Sequence, residues 1–114
     1  KGNLKVSILS PVIPFVQKLK KSKINVKVFD PFFSSAEVKK ITGVDSFNFP
    51  KDLNKFDCIV ITVDHNQFKI KKEKLFKHFK KTKFILDNSG VWENFHLNSK
   101  KTQYVVSGNK GWLN

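Results

Sequence analysis

The sequence has few or none of several residue types that often indicate the class of a protein. It has one cysteine, no methionine, and 22 lysines without a single arginine. One cysteine can form neither an internal disulfide nor a cysteine metal cluster, so we expect a reducing, cytoplasmic setting. No apolar run approaches the ~20 residues of a membrane-spanning helix, and no signal peptide is recognisable, so no membrane partner is expected. Because the chain begins with Lys1 rather than Met, we expect it to be a piece of a longer chain.

A net charge of +13 is the strongest feature of the composition. Concentrated basic charge can indicate nucleic-acid binding. Lysine, however, is a point charge and lacks the planar fork with which arginine binds guanine and phosphate. We therefore expect a solvated lysine surface rather than a nucleic-acid groove. For the lysines between residues 71 and 81, the alternative is a patch that docks on an acidic partner.

Strands and helices alternate along the chain. Alternating or continuous apolar residues predict strands at 4–9, 24–29, 57–63, 83–87 and 103–107, with 44–49 ambiguous. Helices are predicted after Ser10 as N-cap and Pro11, over 34–41 before Gly43, and over 70–79, with a short helix or turn at 50–55. This order predicts one α/β domain over residues 1–114, a Rossmann-like three-layer sandwich with a mainly parallel sheet of about five strands. The most hydrophobic run, 57–63, is predicted to be the central strand.

Polar residues follow the predicted strands at the points where those strands end. Ligands of open α/β sheets bind at the carboxyl ends of the strands, so these residues predict a binding site at one sheet edge. The residues concerned are Ser10, Asp30, 64–66 and 87–89. Taken singly, each of them equally suits a turn or a helix cap. For His65 in particular, hydrogen bonding to a ligand and capping of the loop both stay open.

No catalytic set is recognisable in the sequence. Cys58 lies within the most apolar strand and is predicted to be a small buried residue rather than a nucleophile. His78 and His96 are predicted at the surface, and three scattered histidines do not form a metal site. No Gly-x-Gly-x-x-Gly follows any strand, so the domain is not expected to bind NAD. We expect no catalytic residue, metal or cofactor in this domain.

Three stretches, in order, resemble the C-terminal, nucleotide-sugar-binding domain of the UDP-glucose/GDP-mannose dehydrogenase family. The first runs from Ser10-Pro11 through an apolar helix to a strand that ends in Asp30-Pro31. The second is the strand at 57–63 with His65 and then Phe68 behind it. The third, 84–91, contains a strand that ends in Asp87.

The resemblance implies a parent chain with an N-terminal NAD domain that carries the catalytic residues. Such an enzyme oxidises the C6 alcohol of a UDP-sugar to a carboxylate with NAD, and its products feed polysaccharide synthesis. This domain would bind the UDP end, and dimer pairs would close the site. The resemblance and the strand ends together predict substrate contacts at Lys5, Ser10, Asp30, His65, Asp87, Asn88 and Ser89. The family's arginine before Ser-Pro is replaced here by the run 4–9, and its arginine after the last aspartate is Ser89. Lys5 and Lys110 could substitute for these two cations.

Two other functions stay open at this point. The first is a basic, non-enzymatic module that binds nucleic acid or an acidic partner. The second is a dimerisation domain that keeps the fold and has lost its ligand.

Overall fold

The computed structural model describes residues 12–107 of the chain. The chain divides into two compact units, one within the first 48 residues and one from Phe49 onward. We call their described parts the N-terminal unit (12–48) and the sheet unit (49–107). The strand predicted at 4–9 lies outside the described residues, together with Lys5, Ser10 and Lys110.

The N-terminal unit contains two helices and a small valine core. Helix α1 spans Val12–Lys21 and α2 spans Ser35–Thr42. The helix predicted behind Pro11 is confirmed, because α1 buries Val12 and Val16 and carries lysines in its last turn. Positive charge at that end offsets the helix dipole.

Helix α2 begins and ends as its sequence predicts. The Ser34 hydroxyl accepts a hydrogen bond from the Glu37 N–H at 3.1 Å, and the Glu37 carboxylate accepts one from the Ser34 N–H at 2.8 Å. This reciprocal pair is a capping box, which satisfies two backbone donors at the start of the helix. At the other end Gly43 takes a left-handed conformation, with φ of +79°, and its N–H donates to the Lys39 carbonyl.

Within residues 12–107, the strand predicted at 24–29 does not form. Val26 and Val28 instead pack against the buried cluster of Val12, Val16 and Val44. The Val28 N–H donates to the Asp45 carbonyl at 3.1 Å, but the described residues show no regular ladder here. A strand is defined by a run of such bonds with a neighbour. The alternation of apolar residues therefore reflects packing against α1.

The sheet unit is built on three short parallel strands. Strand β1 is Cys58–Ile61, β2 is Phe84–Asp87 and β3 is Gln103–Val106, in that order across the sheet. Ile61, Asp87 and Val106 are aligned by the register, so the three strands end together. The α/β class and the parallel sheet are confirmed. The count of about five strands is not: within residues 12–107 the sheet has three strands, and 44–49 adds none.

Strand β1 is not the central strand of the described sheet, contrary to the prediction. That place belongs to β2, which pairs on both sides. Cys58, predicted to be buried, is exposed. The reason is that Ile59 and Ile61 point to the buried face of β1 and Cys58 to the other.

The helix predicted over 70–79 is much shorter. Helix α3 spans Lys72–Phe76, and the chain then turns through bonds from the His78 N–H to the Leu75 carbonyl and from the Phe79 N–H to the Phe76 carbonyl. Lysine at the N-cap, Lys71, has no oxygen to offer the first turn. Closely spaced lysines also repel one another along a helix. The remaining short helices, all 3₁₀, are Lys51–Lys55, Asn66–Phe68 and Glu93–Phe95.

The core of the sheet unit lies against one face of the strands. Its buried apolar side chains are Leu53, Ile59, Ile61, Leu75, Phe79, Ile85, Trp92, Leu97 and Tyr104. Burying a side chain of this size stabilises the fold by about 1.5–3 kcal/mol. Packing in this core holds the three strands in place, and the polar residues predicted to form a binding site follow the ends of the strands.

Candidate functional site: the carboxyl edge of the sheet

The three strands bring their following loops to one edge of the sheet. Because β1, β2 and β3 are parallel and end in register, the segments after Ile61, Asp87 and Val106 all leave from the same side. The Asn88 N–H donates to the Ile61 carbonyl at 2.9 Å and carries the pairing one step beyond the strands. We call this side, with residues 62–65, 88–92 and 107, the carboxyl edge.

Asp87 is fully buried and organises the loop that follows β2. Its Oδ1 accepts hydrogen bonds from the Ser89 hydroxyl at 2.9 Å and from the Gly90 N–H at 2.8 Å. Its Oδ2 accepts from the Trp92 N–H at 2.9 Å and from the Tyr104 hydroxyl at 2.6 Å. A buried carboxylate is costly unless such donors replace water. In this structure the Asp87 carboxylate therefore holds protein groups in place.

The loop after β2 needs a residue that tolerates a left-handed backbone. Gly90 has φ of +76°, and an added Cβ would lie 3.4 Å from the Glu93 carboxylate. Glycine takes this conformation without the steric cost that other residues carry. The turn lets the Gly90 and Trp92 N–H groups both reach Asp87.

Tyr104 supplies the one contact to Asp87 that comes from another strand. The register pairs Tyr104 with Ile85, two residues before Asp87 on the same face of the sheet, so the phenol reaches forward to the carboxylate. Burial, then the hydrogen bond to Asp87, and then the charges of Asp87 and Glu93 raise the pKa of the Tyr104 phenol well above its usual range. Tyr104 therefore stays a donor at any physiological pH.

The sequence prediction does not include Tyr104, Trp92 or Ser107. A signal for Tyr104 exists: the only tyrosine of the chain belongs to the apolar run 104–106 of a predicted strand, and a buried tyrosine hydroxyl needs a partner. The Ser107 hydroxyl donates to the Asn88 side-chain oxygen. No local pattern announces that contact, because 19 residues separate the two.

His65 lies in the loop after β1 and is buried. Its ring meets that of Phe68 edge to face, with centroids 5.4 Å apart. The Phe68 carbonyl accepts a hydrogen bond from the Trp92 indole at 2.8 Å. This bond joins the loop after β1 to the loop after β2.

Asp30 lies in the N-terminal unit and is also buried. Its Oδ1 accepts from the Phe32 N–H at 2.8 Å, and its carbonyl accepts from the Phe33 N–H at 3.2 Å. These bonds form a turn around Pro31 of the type that aspartate favours. As substrate contacts, Asp30, His65, Asp87, Asn88 and Ser89 stay predictions.

The described residues favour binding chemistry over covalent chemistry. Partial burial and the neighbouring charge of Asp57 raise the pKa of the Cys58 thiol, which keeps it in the less nucleophilic protonated form. Cys58 also begins β1, at the opposite end of the strand from the carboxyl edge. Among residues 12–107, no three His, Cys, Asp or Glu side chains could hold a metal ion.

No helix within residues 12–107 has the length and apolar character needed to cross a bilayer.

Comparison with known proteins gives two findings. The sequence profile of the UDP-glucose/GDP-mannose dehydrogenase family, UDP binding domain, matches residues 1–94. UDP-N-acetyl-D-mannosamine dehydrogenase of Methanococcus vannielii is 32% identical over 117 aligned positions, which cover 98% of this chain and 26% of that protein. The chain thus spans about a quarter of the length of this curated relative. No solved structure matches significantly.

The two findings agree with the three motifs that end in Asp30, His65 and Asp87. The profile match covers most of the chain, including α1, α2 and the first two strands. On this evidence the chain belongs to the UDP-glucose/GDP-mannose dehydrogenase family, as a C-terminal, UDP-binding domain of that family.

Proposed function

We propose that this domain binds the UDP end of a UDP-sugar for a larger NAD-dependent enzyme, which oxidises the C6 alcohol of the sugar to a carboxylate. Family membership carries the proposal. The name of the archaeal relative, which acts on UDP-N-acetyl-D-mannosamine, supports a UDP-sugar as the substrate class. Such an enzyme would work in the cytoplasm and supply sugar acids to polysaccharide synthesis.

The carboxyl edge supports binding through polar groups that are held in place. Asp87 fixes the backbone of residues 88–92, and the Trp92 indole ties that loop to the one that contains His65. A preorganised loop loses little conformational entropy when a ligand arrives. In the proposal, the Asn88 amide and the Ser107 hydroxyl hydrogen-bond the nucleotide.

In this proposal NAD is not bound by the described residues. Close approach of a pyrophosphate to the backbone requires glycines after a strand, as in the dinucleotide fingerprint. The loop after β1 contains no glycine, and the Gly90 that follows β2 is folded against Asp87. The proposal therefore assigns NAD and the catalytic residues to the parent chain's N-terminal domain, and a homodimer of that chain remains a further expectation.

The test is a titration of the intact chain with UDP, followed by calorimetry and by thermal unfolding. At about a hundred times its dissociation constant, a ligand of the native state raises the free energy of unfolding by about 2.7 kcal/mol. We expect saturable binding of UDP and weaker binding of GDP. If millimolar UDP and UDP-sugars leave the unfolding temperature unchanged, the proposal is wrong.

A pair of amide-to-acid variants locates the site. Asn88→Asp keeps the shape of the side chain and its acceptor for Ser107 but adds a negative charge at a buried position of the carboxyl edge, so its unfolding temperature is measured together with its UDP affinity. Repulsion of the diphosphate should weaken UDP binding at least roughly tenfold. Asn54→Asp makes the same change next to His78, on the 3₁₀ helix before β1, and should leave UDP affinity unchanged. Equal losses in both variants would place the ligand elsewhere.

A further inference from the structure

A concentrated basic surface lies at the amino edge of the sheet, opposite the carboxyl edge. The Lys83 N–H donates to the Asp57 carbonyl at 2.8 Å, and the Gln103 N–H donates to the Lys83 carbonyl at 2.9 Å, so the starts of the three strands meet here. Between residues 69 and 83 the sequence has eight lysines and one glutamate. The positive charge that is concentrated in this part of the sequence therefore lies at the amino edge of the folded sheet.

The loop before β3 adds to this surface. The Lys101 ammonium donates to the Phe79 carbonyl at 3.1 Å and to the Lys80 carbonyl. These bonds hold residues 100 and 101 against the turn that follows α3. We call the resulting group the basic corner; it consists of six exposed lysines: Lys77, Lys80, Lys81, Lys83, Lys100 and Lys101.

Like charges gathered on one surface repel one another and oppose folding, and an anionic partner reduces that cost. A second copy of this face cannot be the partner, because it brings the same charge. The partner must therefore be anionic.

A single aromatic residue on α3 helps to identify the class of anion. Phe76 is 46% exposed and lies beside Lys77 of the basic corner. The Lys72 ammonium lies over its ring at 5.3 Å from the centroid, and Phe79 packs against it at 6.2 Å. A nucleic-acid base stacks on an open ring face, and the Lys72 ammonium leaves Phe76 with at most one such face. The exposed part of Phe76 suits an aliphatic side chain instead.

The geometry points to the basic corner and Phe76 as a docking surface for an acidic protein segment, in which carboxylates alternate with aliphatic residues. Lysine forms exchangeable ion pairs with single carboxylates and does not need the fork geometry of arginine. The surface is separate from the carboxyl edge, so its occupant does not compete with a nucleotide. This inference stands whether or not the domain binds UDP.

The experiment measures binding of the intact chain to a fluorescent peptide of alternating glutamate and leucine. The matched probes are alternating glutamine and leucine, polyglutamate, single-stranded DNA, and vesicles of anionic phospholipid. We expect the glutamate–leucine peptide to bind most tightly and the binding to weaken as salt is raised. Tighter binding of DNA or of vesicles would overturn the inference in favour of that class.

Two pairs of variants test whether binding depends on this particular surface, and the first pair compares it with the net charge of the chain. Lys77→Gln, Lys80→Gln and Lys81→Gln together should weaken peptide binding about tenfold, because each exposed ion pair contributes only modestly and three are removed. The equally charged control, Lys18→Gln with Lys21→Gln and Lys27→Gln, changes exposed lysines of the N-terminal unit and should have little effect. Equal weakening by both triple variants would refute a specific surface.

The second pair tests the apolar contact. Phe76→Ala should weaken the glutamate–leucine peptide roughly fivefold and leave polyglutamate unaffected, because only the first probe offers an aliphatic side chain. Phe32→Ala removes a comparably exposed phenylalanine from the N-terminal unit and serves as the control. If Phe76→Ala changes neither probe, the docking surface is electrostatic only and the inferred partner chemistry is wrong.

Discussion

Replacing Tyr104 by phenylalanine removes one hydroxyl from the buried network around Asp87. The bond from that hydroxyl to Oδ2 is 2.6 Å long, and its acceptor is a carboxylate with no exposed surface. Hydrogen bonds to charged groups contribute about 1.5–3 kcal/mol, and a buried acceptor that loses a donor adds its own desolvation cost. We therefore expect Tyr104→Phe to lower the free energy of unfolding by about 2 kcal/mol. For a domain of this size, that corresponds to a drop of roughly 10 °C in the unfolding temperature.

The assay is urea unfolding followed by circular dichroism, with Ser107→Ala as the control. Ser107 also donates a hydroxyl at the carboxyl edge, but to the neutral side-chain oxygen of Asn88, so its loss should cost about 1 kcal/mol or less. If Tyr104→Phe costs no more than Ser107→Ala, the Asp87 network does not stabilise the fold in the way its geometry implies.

The same bond predicts how stability depends on alkaline pH. The pKa of Tyr104 is raised in the folded state by burial and by Asp87, so the folded state holds the phenolic proton more tightly than the unfolded state does. This contribution is fully present below the unfolded pKa of about 10 and is lost as pH rises from there toward the folded pKa. Because the chain has one tyrosine, its tyrosinate absorption reports this residue alone. A phenol that ionises near its ordinary pKa in the folded protein would contradict the structure.

Two further outcomes test features outside the network. Ser34→Ala removes the capping box of α2 and should lower the free energy of unfolding by about 1 kcal/mol. The control Ser35→Ala, one residue into the helix, should change it by only about 0.3 kcal/mol. Equal effects would mean that the capping box contributes nothing to stability. Cys58 should react slowly with iodoacetamide at neutral pH despite its exposure, because partial burial and then the charge of Asp57 raise its pKa. Asp57→Asn should speed the reaction, and a native rate that matches that of the unfolded chain would refute this explanation.

The sequence predicted best where structure depends on neighbours in the chain. The capping box at Ser34 and Glu37 and the left-handed Gly43 arise within a few residues, and the boundaries of α2 match the prediction within one residue. The buried run before Asp87 was also recognisable, because a strand of this kind is apolar throughout.

The sequence predicted less well where distant contacts decide the outcome. The alternation around Val26 and Val28 is the same for a strand as for an extended segment packed on a helix, and only the partner distinguishes them. Exposure of Cys58 depends on which face of β1 the rest of the chain covers. The bond between Asp87 and Tyr104 spans 17 residues and could not be read from either neighbourhood alone.

The four donors to Asp87 satisfy its hydrogen-bonding capacity, yet all of them are neutral. They disperse its negative charge without cancelling it, and the low dielectric of the interior extends the reach of that charge. The carboxyl edge therefore carries an electrostatic gradient that opposes an approaching diphosphate near Asp87 and favours groups that carry N–H or O–H donors. A second carboxylate at the neighbouring position, as in Asn88→Asp, would strengthen that opposition.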